Sequence, residues 1–249
     1  MFWAWLGALL VGISLGLLGS GGSILTVPVL VYLVDEPEKL AIAESLGIVG
    51  TISLAGAIPY AIKNRVHWRS VLYFGLPGMA GTYGGAFLAK YVSGTLQLVV
   101  FAFVMIIAAI MMYRNHATLE SSYGDYPRYK IILEGIGVGV LTGFVGVGGG
   151  FLIVPALVLM EGLPITLAVG TSLVIISMKS FSGFYKYLDV LQSFDLSVNW
   201  SLLVIFSGIG ILGSLAGKKI GDQVSQEGLK KGFALFLALM GAYIIYMNL

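Results

Sequence analysis

Hydrophobic and polar positions divide the chain into ten apolar runs separated by short polar breaks: about 2–18, 21–34, 41–62, 70–90, 96–113, 131–146, 149–160, 165–186, 198–217 and 232–248. The runs beginning near 41, 70, 96, 165, 198 and 232 have the roughly 17–25 residues a helix needs to cross a hydrocarbon core of about 30 Å. The remaining four form two pairs, within 2–34 and 131–160, each made of shorter pieces meeting at glycine. Such pairs read as broken or re-entrant helix hairpins, because irregular backbone persists at membrane depth only when buried in protein or lining a wet cavity. Whether the second arm crosses or turns back at mid-depth is left open by the pattern. The predicted fold class is an all-α integral membrane protein, a polytopic helical bundle.

Composition agrees. Charged residues make up 10% of the 249, hydrophobic ones 58%, and the mean hydropathy is +0.96; a soluble domain carries about 25% charged residues. The net charge of +2 is scattered, with no basic cluster, which excludes nucleic acid as a partner. Cysteine is absent, removing disulfides, thiolate metal sites and thiol nucleophiles together. His67 and His116 fall in polar breaks with no second ligand at helical spacing, so neither a metal nor another cofactor is expected. No His occupies a run, so the acid–base–nucleophile set of an intramembrane enzyme is missing. Residues 1–18 lack a Lys/Arg n-region and continue into a Gly-rich turn, and are expected to belong to the mature protein.

The positive-inside rule gives the parity of the crossings. If each Gly-joined pair returns to its starting side, one face collects Lys63, Arg65, Arg69, Arg114, Arg128, Lys130, Lys218, Lys219, Lys230 and Lys231, and the other only Lys39, Lys90 and Lys186. Counting each pair as a single crossing erases that asymmetry. The first arrangement predicts a plasma (inner) membrane protein with both termini outside and the linker 115–129 in the cytoplasm.

Two copies of one unit are legible. Residues 12–30, GISLGLLGSGGSILTVPVL, match 139–157, GVLTGFVGVGGGFLIVPAL, at an offset of 127 with 9 identities in 19 positions. The same offset pairs Ser45 with Ser172, Ser53 with Ser180 and Gly56 with Gly183; after five extra residues the offset becomes 132 and pairs Val66, Trp68, Gly81 and Gly85 with Val198, Trp200, Gly213 and Gly217. The units are 1–113 and 131–249, joined by 114–130. Each half makes an odd number of crossings, or three crossings and a hairpin, so the second copy is inverted. Two inverted five-segment repeats with short, Gly/Pro-interrupted segments are the pattern of secondary transporters, whose sites lie near the midplane at the repeat interface.

The loops Gly19, Ser20, Gly21, Gly22, Ser23 and Gly146, Gly148, Gly149, Gly150 are the candidate substrate site. Residues without Cβ allow left-handed turns and let backbone N–H groups face a ligand, and a helix opening there adds unpaired donors that favour an anion. Pro28 and Pro155 are expected to break the following helices. Neither loop carries the Lys-Ser/Thr of a nucleotide loop. Lys179 lies deep in a run, where a cation faces a cavity or partner; substrate counter-charge and snorkelling from a tilted helix both fit it. Glu44 reads as an interface residue or as a proton carrier. Ser45, Thr171 and Ser172 have hydroxyls that either donate to an anion or bond their own helix backbone.

The paired GLLGSGGSILTVPVL and GFVGVGGGFLIVPAL, with VGTSLVIIS following the second, resemble the sulfite exporter TauE/SafE family, also called TSUP, across both halves. The resemblance implies a carrier of sulfur-containing anions such as sulfite, thiosulfate, sulfoacetate or other organosulfonates, often exporting them, with the loop residues and the second-half Thr171 and Ser172 in binding roles. The first half departs from the pattern: its loop reads GSGGS, and Ala43-Glu44-Ser45-Leu46 stands where Gly170-Thr171-Ser172-Leu173 stands in the second. The expected partners are the anion and the lipid bilayer, with a homodimer as a further option. The rival readings are a passive anion channel and a non-transporting membrane subunit.

Overall fold

The computed structural model describes residues 2–18, 21–114, 127–159, 161–221 and 226–248, and among these there is no strand. Helix α1 (Phe2–Leu18) is followed by a 3₁₀ turn, Gly21–Leu25, that opens the short α2 (Thr26–Leu33). Then come α3 (Glu38–Ile62), α4 (Trp68–Ser70) running through a π-helical stretch, Val71–Gly75, into α5 (Leu76–Leu88), and α6 (Gly94–Arg114). The remaining helices are α7 (Arg128–Val145), the short α8 (Gly150–Leu159), α9 (Ile165–Gln192), α10 (Trp200–Gly221) and α11 (Gln226–Asn248). At about 1.5 Å per residue α2 and α8 are only about 12 and 15 Å long, half a hydrocarbon core. Among the described residues, three helical stretches, Glu38–Ile62, Thr166–Gln192 and Trp200–Gly217, are long and apolar enough to cross a membrane by length and composition. Most of the predicted linker, residues 115–126, lies outside the described residues.

Each apolar run corresponds to one helix or half-helix. The largest departures are α9, which continues to Gln192 where the apolar run ends at 186, and α11, which starts at Gln226 where the run starts at 232; in α9, Lys186 and Asp189, one turn apart, pair at 2.9 Å and sustain a polar last turn. The helix ends follow local chemistry. Helices α2 and α8 are followed by left-handed residues, Asp35 (φ 61°) and Gly162 (φ 64°), and the next N–H folds back in each case: Glu36 to the Leu30 carbonyl at 3.1 Å, Leu163 to the Leu157 carbonyl at 3.2 Å. Pro37 and Pro164 then start α3 and α9 with the same extended ψ of 142°.

Long-range packing crosses between the halves. Helix α1 lies along α10 and α5 along α7, while α3 pairs with α9 and α6 with α11. The first two contacts are built on glycine. A Cβ on Gly143 would strike the Thr82 carbonyl and one on Gly85 the Val140 carbonyl; a Cβ on Gly213 would sit 2.7 Å from the Leu9 carbonyl. Removing side chains from the seam lets backbones approach, the usual source of attraction between helices in lipid. Rising numbers meet rising numbers at these seams, Gly135 against Phe74 and Gly143 against Thr82, so α5 and α7 run parallel. In α3 and α9 the order reverses: Gly47 meets Phe184, Gly50 meets Ser180 and Gly56 meets Leu173, so these run antiparallel. Arg69 and Arg128 both lie over the Tyr73 ring, 5.9 and 5.8 Å from its centroid, which puts the starts of α4 and α7 on one face.

Candidate functional site

Helix α7 ends at Gly146, whose left-handed φ of 78° turns the chain while its N–H still bonds the Thr142 carbonyl at 2.9 Å. The chain descends from there. Gly146 is against Ile42, near the start of α3, whereas a Cβ on Gly148 would lie 2.7 Å from Val49, 2.8 Å from Ile176 and 3.1 Å from the Ser180 hydroxyl. Val49 and Ser180 stand close to the midpoints of α3 and α9. Gly149 turns the chain again (φ 69°) and opens α8, its carbonyl accepting the Ile153 N–H at 3.2 Å. Half-helix α8 therefore begins at mid-height with the N–H groups of its first turn directed away from its own carbonyls. Residues 146–150 are all buried.

The hydroxyls of Ser45, Thr142 and Ser180 lie against this turn. Ser45 donates to the Gly146 carbonyl and to its own helix at Ile42, tying α3 to the turn. Ser180 and its repeat partner Ser53 are fully buried, and neither hydroxyl has a hydrogen-bond partner in the structure; Thr26, in the first turn of α2, shares that condition. Buried hydroxyls without partners are uncommon and invite a ligand or water. Ser23 is buried in the 3₁₀ turn with Gly21 and Gly22, and that turn packs on α8; Gly19 and Ser20 lie outside the described residues. Pro28 and Pro155 do not break their helices: α2 and α8 continue through them, and the breaks fall at the glycine turns instead. Pro28 is tolerated because it sits in a first turn, where its N–H has no helical partner anyway.

The Lys179 amine is fully buried, so it does not snorkel. It lies 5.6 Å from the Phe74 ring centroid with no hydrogen-bond partner in the structure, its aliphatic chain against Gly78 of α5. Ser180, the next residue round α9, faces Gly148, while Lys179 faces the α5 side. Helix α9 thus presents a hydroxyl to the turn and an amine to the flank.

Glu44 and Thr171 do something composition did not indicate. Glu44 Oε1 accepts the Asn199 N–H at 2.8 Å, and Thr171 Oγ1 accepts the His67 N–H at 2.8 Å while donating to the Leu167 carbonyl. Asn199 and His67 immediately precede α10 and α4. Offset 127 relates Glu44 to Thr171 and offset 132 relates His67 to Asn199, so the two contacts are counterparts at opposite ends of the bundle. Ser172 bonds its own helix at Val169. The structure thus joins Ser45, Ser180 and residues 146–150, and holds Glu44, Thr171 and Ser172 in backbone contacts. For Ser180, its pairing with Ser53 at offset 127 is the one signal the sequence carries.

Residues 4–244 match the sulfite exporter TauE/SafE family. The chain belongs to that family. It is 34% identical to a "Probable membrane transporter protein" of Xylella fastidiosa (strain Temecula1), over 96% of this chain and 92% of the relative. It is 26% identical to one of Methanocaldococcus jannaschii, over 95% and 94%, and 27% identical to "Probable membrane transporter protein YunE" of Bacillus subtilis, over 96% and 94%. No solved structure matches. Family and relatives together make this a multi-pass membrane protein of the transporter class, and their names point away from an enzyme. The TauE/SafE family match spans both glycine turns and all four of the long inter-half helix contacts.

Proposed function

We propose that the protein is a secondary transporter of the plasma membrane that exports small sulfur-containing anions, with sulfite, thiosulfate, sulfoacetate and other organosulfonates as the substrate class. The observation carrying this reading is the buried turn at Gly148: a half-helix N-terminus at mid-height, flanked by the unpartnered Ser180 hydroxyl. A half-helix end and a hydroxyl bind an anion by donation, so the anion is held and released again. Lys179 supplies compensating positive charge from the α5 side.

The antiparallel course of α3 and α9 supports two inverted repeats, 1–113 and 131–249. If each Gly-joined pair made a single crossing, α3 and α9 would run the same way. The shared face of Arg69 and Arg128 supports a cytoplasmic position for the linker and external termini. Alternating access then comes from one bundle rocking on the other about the α3–α9 contact. A monoanion leaving a negative-inside cell gains about 2.3 kcal/mol per 100 mV, roughly 50-fold accumulation outside, which is sufficient for export.

The test is flux of sulfite, thiosulfate and sulfoacetate in proteoliposomes under an imposed potential. Saturable, potential-sensitive flux that Gly148→Ala abolishes is the expected result. Flux that does not saturate indicates a channel, and no flux with any of the three overturns the substrate class.

A further inference from the structure

A second cluster of polar side chains lies at the opposite end of α8 from the glycine turn. Glu161, in the turn after α8, receives the Ser70 hydroxyl on Oε2, and Ser70 Oγ lies 2.6 Å from His67 Nδ1. His67 Nδ1 is itself 3.9 Å from the carboxylate. The exposure is graded: the His67 side chain is 38% accessible, that of Glu161 only 11%, and Glu161 Oε1 is buried without any hydrogen-bond partner in the structure. This carboxylate is held in a place that does not satisfy its charge, yet it connects through one hydroxyl to an imidazole reaching water.

We propose that His67, Ser70 and Glu161 form a proton-binding site that loads from the Arg65 face, so that proton and anion occupy the two ends of the same half-helix, α8. The chain of donors allows the transfer without leftover charge. With Nδ1–H of His67 donating to Ser70 Oγ and Ser70 donating to Glu161, a proton from water adds at His67 Nε2. The Nδ1 proton then passes to Ser70 Oγ, and the Ser70 proton passes to Glu161 Oε2. One proton has entered, the imidazole is neutral again with its proton on Nε2, and the carboxyl is neutral. The hydrogen bonds now run the other way, from Glu161 through Ser70 to His67.

Burial is the leading influence on Glu161 and raises its affinity for a proton; the Ser70 hydrogen bond and the positive charges of His67 and Arg69 act in the opposite sense. From α7, Glu134 contributes like charge, moderated by Lys130. Ser70 is also the residue from which the π-helical stretch departs, and Phe74, one turn on, carries the Lys179 amine over its ring. Protonation of Glu161 therefore changes the contact that ties the end of α8 to the helix flanking Lys179.

The coupling of this site to transport rests on the anion-carrier reading, but the proton site itself is measured separately. In purified protein, infrared difference spectra across a pH titration follow the C=O stretch of protonated carboxyl groups. One such band is expected to titrate above the ordinary carboxylate range, to vanish in Glu161→Gln, and to shift in Ser70→Ala and His67→Gln. Spectra of wild type and Glu161→Gln that coincide above that range overturn the site. In proteoliposomes with thiosulfate as probe, whose own charge is constant across this range, wild-type flux is expected to vary with pH on the Arg65 face, and Glu161→Gln to keep flux while losing that variation. An unchanged pH profile in Glu161→Gln overturns the coupling, whereas no sulfite, thiosulfate or sulfoacetate flux in wild type overturns the carrier reading and leaves the spectroscopic result standing.

Discussion

Glu44 Oε1 holds the backbone N–H of Asn199 at 2.8 Å across 155 residues of chain, and Thr171 holds that of His67 at the same distance at the other end of the bundle. Each side chain belongs to one half and secures the entry of a helix, α10 or α4, that belongs to the other half. A Glu and a Thr do the same work because only an acceptor oxygen is required. Glu44→Gln, which retains an acceptor, is expected to keep both thermal stability and transport, while Glu44→Ala leaves the Asn199 N–H unpaired at a loss of about 1–3 kcal/mol. Thermal unfolding in detergent distinguishes them; equal midpoints for Glu44→Ala and wild type would remove the contact as a stabilising one. Transport that stays normal in Glu44→Gln also excludes Glu44 as an obligatory proton carrier.

Gly137 and Gly143 lie on the same helix and separate packing from propensity. A Cβ on Gly137 meets nothing within 4 Å, whereas one on Gly143 strikes the Thr82 carbonyl. Gly137→Ala is expected to be neutral or slightly stabilising, and Gly143→Ala to force α5 from α7 at about 1–3 kcal/mol. Similar unfolding temperatures for the two variants would contradict the close seam.

Ser180→Ala removes a buried hydroxyl that has no partner in the structure, so the fold loses nothing by it. If that hydroxyl meets the anion, KM rises by roughly tenfold, about 1.4 kcal/mol, within the range for hydrogen bonds to charged groups. An unchanged KM for every transported anion would take Ser180 out of the site.

Lys179→Met replaces a buried amine by an apolar chain of similar length. Removing an unpartnered ionisable group is expected to raise the unfolding temperature, while loss of the counter-charge lowers anion flux. A variant that is more stable and equally active would assign Lys179 no part in binding.

Stability should also report on Glu161. Its folded-state affinity for a proton is raised by burial, so the folded protein binds more protons than the unfolded chain from its ordinary value of 4.5 upward. The linkage sign is therefore negative: this group's contribution to stability falls as pH rises through that window and levels off once the folded carboxyl is ionised. Glu161→Gln is expected to flatten that part of the profile, and parallel profiles for variant and wild type would argue against a destabilised carboxylate.

The helices were legible because membrane depth writes itself as uninterrupted apolar sequence, and the polar breaks bound every segment to within a few residues except at the end of α9 and the start of α11. The glycine turns were legible as irregular backbone, since the densest glycines mark where Gly146 and Gly149 take left-handed φ. Side-chain direction was not. Polar residues scattered through an apolar run give no sign that Lys179 points to Phe74 while Ser180 points to Gly148. Nor does spacing predict that Glu44 seeks a backbone N–H 155 residues away, because that contact depends on how the two halves dock. The Ser70–Glu161 bond was hidden for the same reason: its members lie in different polar breaks, each unremarkable alone.

The crossing of partners between halves also bears on how the chain is made. Helix α1 emerges well before α10, the helix whose surface receives its glycine seam. At about 5–20 residues per second, roughly 10–40 s of synthesis separate the two. For that interval α1 rests in the lipid with its small-residue stripe uncovered, and neither half completes its interior until the helices of the other have followed.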